Sequence, residues 1–342
     1  MKKITLSKKK FLKLLVILMI FLPWVVSCSQ EFLYQMNMVF LSIIAVQSLN
    51  ILFEYLGVVS IGQAALMGVG AYVMASFSLL LGSSHWLFLN GWFIFIVVAA
   101  VLVSIISMGI SFVCAKLNGL YFLVATLVFQ ISFEWLIGGQ MSIFEYGDMV
   151  NFERIHFFGI NLGREYFGGM WFSLLVVLNA AIFYSLKNFE FSKYHRFFLA
   201  TKENPAAVPA LGLSLTKARI MAFGLSGFYL GLAGACKALV NRGVTLDSYK
   251  VIFSTEQVSM LFMGGAGYPA GPIVGSVSLE IINTLTEVVS RFFLSGHQVS
   301  PGVAMGFRPI LFGACIVVLL KFFQGGIVGS MNKARISKVK KK

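Results

Sequence analysis

The sequence predicts an all-α fold: a polytopic transmembrane helix bundle of about ten membrane segments, with a broken, Gly-rich segment near the C-terminal third. Three observations carry this. The 342 residues are 58% hydrophobic and only 12% charged, too little polar surface to cover a water-soluble core of this length. Long apolar stretches recur from end to end, so lipid is the expected solvent and a partner of most of the chain. Gly264–Gly275, which reads Gly-Gly-Ala-Gly-Tyr-Pro-Ala-Gly-Pro-Ile-Val-Gly, cannot be regular helix. The simplest organisation is a basic N-terminus at 1–10, one transmembrane domain at 11–325 and a basic tail at 326–342.

In order, the apolar segments are Phe11–Ser27, Leu33–Phe53, Gln63–Leu81, Leu89–Ala115, Leu120–Ile137, Met170–Leu186, Thr216–Val240, Ser254–Met263, Gly271–Ser290 and Ala304–Phe323. Most are long enough to span at 1.5 Å per residue. The eighth is too short to cross alone unless Val244–Phe253 extends it. Before the first segment stand Lys2, Lys3, Lys8, Lys9 and Lys10, and after it Val25-Val26-Ser27-Cys28, a loose likeness to a lipoprotein signal. The many spans that follow and the poor small-residue pattern favour a first span that keeps its anchor.

Charge sets the expected orientation. The net charge is +14, and much of the excess sits at the two ends, so both termini are expected in the cytoplasm. The loop between the sixth and seventh segments, 187–217, and its flank carry Lys187, Lys193, Arg196, Lys202, Lys217 and Arg219 against Glu190 and Glu203. It reads as a second cytoplasmic element. The loop at 138–169 is more acidic, with Glu145, Asp148, Glu153 and Glu165, and reads as external. Ten crossings satisfy these placements. The basic residues do not form an aromatic-rich surface outside the spans, so nucleic acid is not an expected partner.

The chain offers little to an enzyme. It has no Gly-Lys dipeptide, hence no phosphate-binding loop, and no GxSxG elbow or dinucleotide fingerprint. The four Cys and four His are scattered without metal spacing, so no cofactor or metal is expected. Two features do stand out. Non-helical backbone at membrane depth survives only when buried in protein or lining an aqueous cavity, which marks Gly264, Gly265, Gly267, Gly271 and Pro272. Glu280 falls in the middle of the ninth segment, where a lone carboxylate must face protein or water. Lys237, Glu134 and Glu256 lie nearer segment ends and can snorkel or pair. The run Leu56–Gln63 also breaks an apolar stretch just before a Gly-spaced helix, a weak internal echo of Gly264–Gly275.

In the basic loop, Asn204-Pro205 is a helix start, with an Asn cap and Pro at the first helical position. Ala206, Ala207 and Ala210 favour helix, Gly212 can end it, and Pro209 weakens it. On physics alone this is either a short docking helix beside Lys202 and Glu203 or an ordinary connector.

The ordered blocks make the reading more specific. Thr201–Leu213 (TKENPAAVPALGL) resembles the cytoplasmic EN-x-x-A-x-x-A-L-G-I stretch of the branched-chain amino-acid ABC transporter permease family. Leu49–Tyr72, Leu117–Thr126 (LNGLYFLVAT), Met263–Gly275 (MGGAGYPAGPIVG) and Phe323–Gly329 (FQGGIVG) resemble further blocks of that family in the same order. The resemblance implies a non-enzymatic permease subunit in a bacterial inner membrane. It implies a second permease subunit, two cytoplasmic ATP-binding subunits and an extracytoplasmic solute-binding protein as partners. Glu203, Asn204, Pro205, Ala206, Ala207 and Gly212 would form the coupling helix, and Gln63, Tyr72 and Thr126 would join the glycine break and Glu280 along a pathway. Branched-chain amino acids are the first expectation for the solute. Departures include Glu54 and Tyr55 in place of small residues, Gln63 in place of His, and only Gly138-Gly139 left of a TGGxxGL stretch. Urea, amide, sugar and nucleoside importers use related permeases, and an ion-coupled secondary transporter is the alternative outside that class.

Overall fold

The computed structural model describes residues 29–81, 86–114, 117, 119–140, 149–151, 164–203, 208, 214–295, 313–314, 317, 321 and 325–331. The architecture is helical throughout, apart from one short strand pair. Helices α1 (Gln30–Leu56), α2 (Gln63–Leu81), α3 (Trp86–Val113), α4 (Leu120–Trp135), α5 (Arg164–Phe189), α6 (Lys193–Glu203), α7 (Leu215–Asn241), α8 (Val251–Gly264) and α9 (Gly271–Ser295) follow one another. Strand β1 (Met149–Asn151) pairs antiparallel with β2 (Gly243–Thr245).

Among the described residues, six helices are long and apolar enough to cross a bilayer: α1, α2, α3, α4 with the turn after it, α5 and α7. They account for the second to seventh apolar segments. The first segment, Phe11–Ser27, lies outside the described residues, as does most of the tenth. The ninth segment is α9. The eighth is α8, whose 14 residues rise about 21 Å, short of a bilayer core. What precedes it is not helix but β2 and a 3₁₀ turn, Leu246–Tyr249. The helical extension that would let this segment cross alone is therefore not formed.

Central and peripheral helices separate cleanly by burial. In α7, 89% of the apolar window is buried, against 28% in α3 and 22% in α4, so α7 is wrapped by its neighbours while α3 and α4 leave most of their apolar surface on the outside of the fold. Small residues permit this. A Cβ on Gly234 would lie 1.9 Å from the Met67 carbonyl oxygen, and one on Gly70 would lie 2.8 Å from the Gly231 oxygen, so α2 and α7 cross backbone to backbone. On its other side α7 meets Ser104 and Ser107 of α3, whose hydroxyls donate to the Gly224 and Phe223 carbonyls at 2.8 and 2.7 Å. Ile94, Val97, Val101, Ile105 and Phe112 form the exposed stripe of α3.

Directions follow from end contacts. The Asn37 amide of α1 donates to the Gly168 carbonyl near the start of α5, and the Tyr55 ring near the end of α1 packs on Phe189 near the end of α5. The Tyr34 hydroxyl near the start of α1 donates to Asn241 at the end of α7. Thus α1 and α5 run together, and α7 runs against them. Ser29 caps α1 by accepting from the Phe32 N–H, and Gly57 ends it in a left-handed turn at φ 67°.

Candidate functional site

Two interruptions of helix lie on either side of α1. The first is the stretch from Gly57 to Gly62 between α1 and α2. Its backbone is satisfied by side chains from distant helices. The Ile61 N–H donates to Thr126 Oγ1 at 3.1 Å, the Ala64 N–H to Ser254 Oγ at 2.9 Å, and the Ala65 N–H to Gln130 Oε1 at 2.7 Å. Helix α2 thus starts inside the protein, with its free N–H groups capped by α4 and α8. Gln130 is the hub, because its amide nitrogen also donates to Glu134 Oε1 at 3.0 Å and the Tyr249 carbonyl at 2.8 Å. The same Glu134 carboxylate accepts from the Val251 N–H at 2.7 Å and so caps α8. Gln63 is fully buried, and its Oε1 accepts from Ser48 of α1 at 3.0 Å. Its amide nitrogen and Gln257 Oε1 of α8 are buried polar atoms without a protein partner. A small polar molecule is what such atoms would bind.

The second interruption is the turn between α8 and α9. Gly265 (φ 117°) and Gly267 (φ 80°) take backbone conformations that side chains resist. The antiparallel helices then close on each other. A Cβ would lie 1.9 Å from the Gly271 oxygen if added to Gly264, 2.2 Å from the Gly265 oxygen at Gly271, and 1.9 Å from the Met260 oxygen at Gly275. Pro272 is buried in the first turn of α9, where its missing N–H costs nothing. Asn50 of α1 holds the turn: its Oδ1 accepts from the Gly267 N–H at 2.8 Å, and its amide reaches the Tyr268 carbonyl at 3.5 Å. Ser48 and Asn50 are two residues apart, about 200° around the helix, so α1 stands between the two interruptions and touches both.

Beside the turn, a cavity of about 200 Å³ is lined by Gln47 of α1, Phe183, Leu186 and Lys187 of α5, Glu190 just after it, and Pro269. One amide, one cation and one anion share it with apolar walls. Helix α6 is fastened to the same end of α1. Tyr55 stacks on Phe198 at 5.1 Å between ring centroids and meets His195 edge-on at 5.5 Å. Lys202 Nζ donates to the Phe53 and Glu54 carbonyls at 3.1 and 3.2 Å.

The structure brings Gln63 and Thr126 together at the start of α2, and gathers Gly264, Gly265, Gly267, Gly271 and Pro272 at the hairpin. Tyr72 lies further along α2, its ring against Phe133 of α4 at 6.2 Å. Glu280 is partly exposed on α9, about 13 Å beyond the turn. Glu203 is the exposed last residue of α6. Asn204, Pro205, Ala206, Ala207 and Gly212 lie outside the described residues. Lys237 does not snorkel: it is 7% exposed, donates to the Ser248 carbonyl at 3.2 Å, and sits over the Phe253 and Tyr249 rings at 3.9 and 4.8 Å. Aromatic faces and a carbonyl replace water around its charge. Glu134 likewise caps a helix instead of reaching for solvent. Sequence reasoning missed Gln130, Ser254, Gln257, Ser48 and Asn50. The signal available was their polarity within apolar segments. Among the described residues, no group of three or more His, Cys, Asp or Glu could hold a metal ion.

Long apolar helices, with helix breaks buried against polar side chains, fit a membrane transport protein. The chain belongs to the family described as branched-chain amino acid transport system / permease component, which matches residues 32–333. It is accordingly a multi-pass transport permease subunit and not an enzyme. It is 24% identical over 309 residues to the high-affinity branched-chain amino acid transport system permease protein LivM of Salmonella typhimurium, covering 84% of this chain and 71% of the relative. It is 23% identical to LivM of Escherichia coli over the same shares. No solved structure matches it.

Proposed function

We propose that this chain is the membrane-spanning permease subunit of an ABC importer in the bacterial inner membrane, moving a small polar solute, with branched-chain amino acids as the substrate class. The observation that carries this reading is the polar seam at the start of α2, where Gln63 and Gln257 bury unpartnered polar atoms beside a helix that begins inside the protein. Gln63, Tyr72 and Thr126 flank the pathway on one side of α1. The hairpin glycines 264, 265, 267 and 271, with Pro272, shape it on the other, and the cavity at Gln47, Lys187 and Glu190 is its inner mouth. The opposite charges and apolar walls of that cavity suit a zwitterion with an aliphatic side chain. Both LivM relatives are named for branched-chain amino acid transport, which supports the same solute.

With no phosphate-binding loop of its own, the chain draws energy from two cytoplasmic ATP-binding subunits, through the coupling stretch Glu203–Gly212. A second permease subunit completes the membrane unit, and an extracytoplasmic binding protein delivers the solute. The test is uptake of labelled leucine into vesicles containing this chain, its sister permease and the ATP-binding subunits, with the loaded binding protein outside and ATP within. Uptake should require both ATP and the binding protein. Uptake driven by a proton or sodium gradient without the ATP-binding subunits would replace this reading with a secondary transporter. Competition by urea or a nucleoside but not by leucine would change the solute.

A further inference from the structure

The inner end of α1 touches three elements that must move relative to one another in an alternating-access cycle. It carries α6 through the Tyr55–Phe198 stack and the Lys202 hydrogen bonds to the Phe53 and Glu54 carbonyls. The Lys202 stem also lies against Gly57, where a Cβ would sit 3.6 Å from it. One turn earlier, Phe53 packs edge-on against Phe262 of α8 at 5.9 Å. Asn50, fully buried, accepts from the Gly267 N–H of the hairpin. Aromatic stacks and buried hydrogen bonds between rigid helices pass on displacement, whereas loops absorb it.

We propose that the last two turns of α1 are the transmission element between α6 and the glycine hairpin, with Asn50 the positioning residue that makes the hairpin follow α1. This rests on the importer reading, because α6 leads directly into the proposed coupling stretch. Movement of α6 then reaches the hairpin through α1, and with it the inner end of the pathway. Asn50 needs no contact with solute for this. The short 2.8 Å bond to Gly267 carries the connection, and the 3.5 Å approach to Tyr268 adds little.

The experiment measures solute taken up per ATP hydrolysed in the reconstituted full complex, for wild type, Asn50→Ala, Asn50→Asp and Lys202→Met. Asn50→Ala removes the acceptor and should lower the ratio about tenfold while the complex still assembles and hydrolyses ATP. Asn50→Asp keeps an acceptor for the Gly267 N–H but buries a carboxylate beside the Tyr268 carbonyl, and should retain clearly more of the ratio than Asn50→Ala. Lys202→Met keeps the stem on Gly57 but removes the exposed hydrogen bonds, and should lower the ratio about threefold. A wild-type ratio in assembled Asn50→Ala, or an equal loss in Asn50→Asp and Asn50→Ala, overturns the proposal. If Asn50→Ala does not assemble, a wild-type ratio in Lys202→Met overturns it. Absence of ATP-driven uptake in the wild-type complex is a different failure, that of the importer reading itself.

Discussion

Replacing Gly271 by Ala inserts one methyl group into a close backbone contact of the α8–α9 hairpin. The added Cβ would stand 2.2 Å from the Gly265 oxygen, while ordinary contact begins at 3.4 Å. Both partners are backbone, so no side chain can swing aside. The two helices must part by about 1 Å, an overpacking that costs about 1–3 kcal/mol. Parting also pulls Gly267 away from Asn50, which adds to the cost. For a chain of this size the melting temperature should fall by about 1–4 °C, measured by intrinsic fluorescence in detergent. Gly109 is the control: a Cβ there meets nothing within 4 Å, so Gly109→Ala gains helix propensity, about 0.5–1 kcal/mol, and should not lower the midpoint. Gly271→Val, which opens the hairpin further, should abolish uptake while assembled protein persists. The reasoning is refuted if Gly271→Ala melts with wild type, or if Gly109→Ala is as damaging as Gly271→Ala.

Gln130→Leu leaves the Ala65 N–H and the Tyr249 carbonyl unpaired at the start of α2, and should cost about 1–3 kcal/mol by detergent thermal unfolding; an unchanged midpoint would show the hub to be dispensable. Gly212→Glu places a large charged residue in the coupling stretch and should separate ATP hydrolysis from uptake, while the loaded binding protein still docks on the opposite face; wild-type stimulation together with wild-type uptake would remove this stretch from the mechanism. Lys338→Cys should resist an impermeant thiol reagent added to intact cells, because the basic tail is expected inside; labelling from outside would invert the topology.

The helices were legible because lipid leaves few choices: apolar runs of about 20 residues must be helical to satisfy their own backbone. The break between α8 and α9 was legible for the complementary reason, since 265–270 holds glycines at positive φ and a proline, but it is shorter than the sequence suggested: Gly264 still belongs to α8, and Gly271–Gly275, expected to be non-helical, open α9 with Pro272 in its first turn. The partners of each interruption were not. Gln130 meets Ala65 across 65 residues of sequence, and Ser254 meets Ala64 across 190, so nothing local marks them. Lys237 misled because the rule for charges near helix ends is to reach for water, and the rings of Tyr249 and Phe253 come back to it only after a strand and a tight turn. Helix α6 was hidden inside a stretch read as loop. Its 11 residues bury only Phe198 and Thr201 and are polar on average, so a search for apolar runs passes over an amphipathic helix of this kind. The cavity at Gln47, Lys187 and Glu190 depends on α1, α5 and the hairpin meeting, which no single segment announces.

The central claim is that solute passes along the polar seam at the start of α2. Thr126 is buried there, 2% exposed, with its hydroxyl bonded to the Ile61 N–H. A Thr126→Cys variant, in a chain whose four native cysteines are replaced by Ser or Ala, allows a direct measurement of access during transport. A small hydrophilic thiol reagent is applied to the reconstituted complex with and without ATP, and the rate of modification is followed alongside leucine uptake. The account predicts slow modification at rest, faster modification during ATP turnover, loss of uptake in step with modification, and slowing by excess solute. Modification at one unchanging rate in all conditions, or full modification with uptake intact, would place the pathway elsewhere.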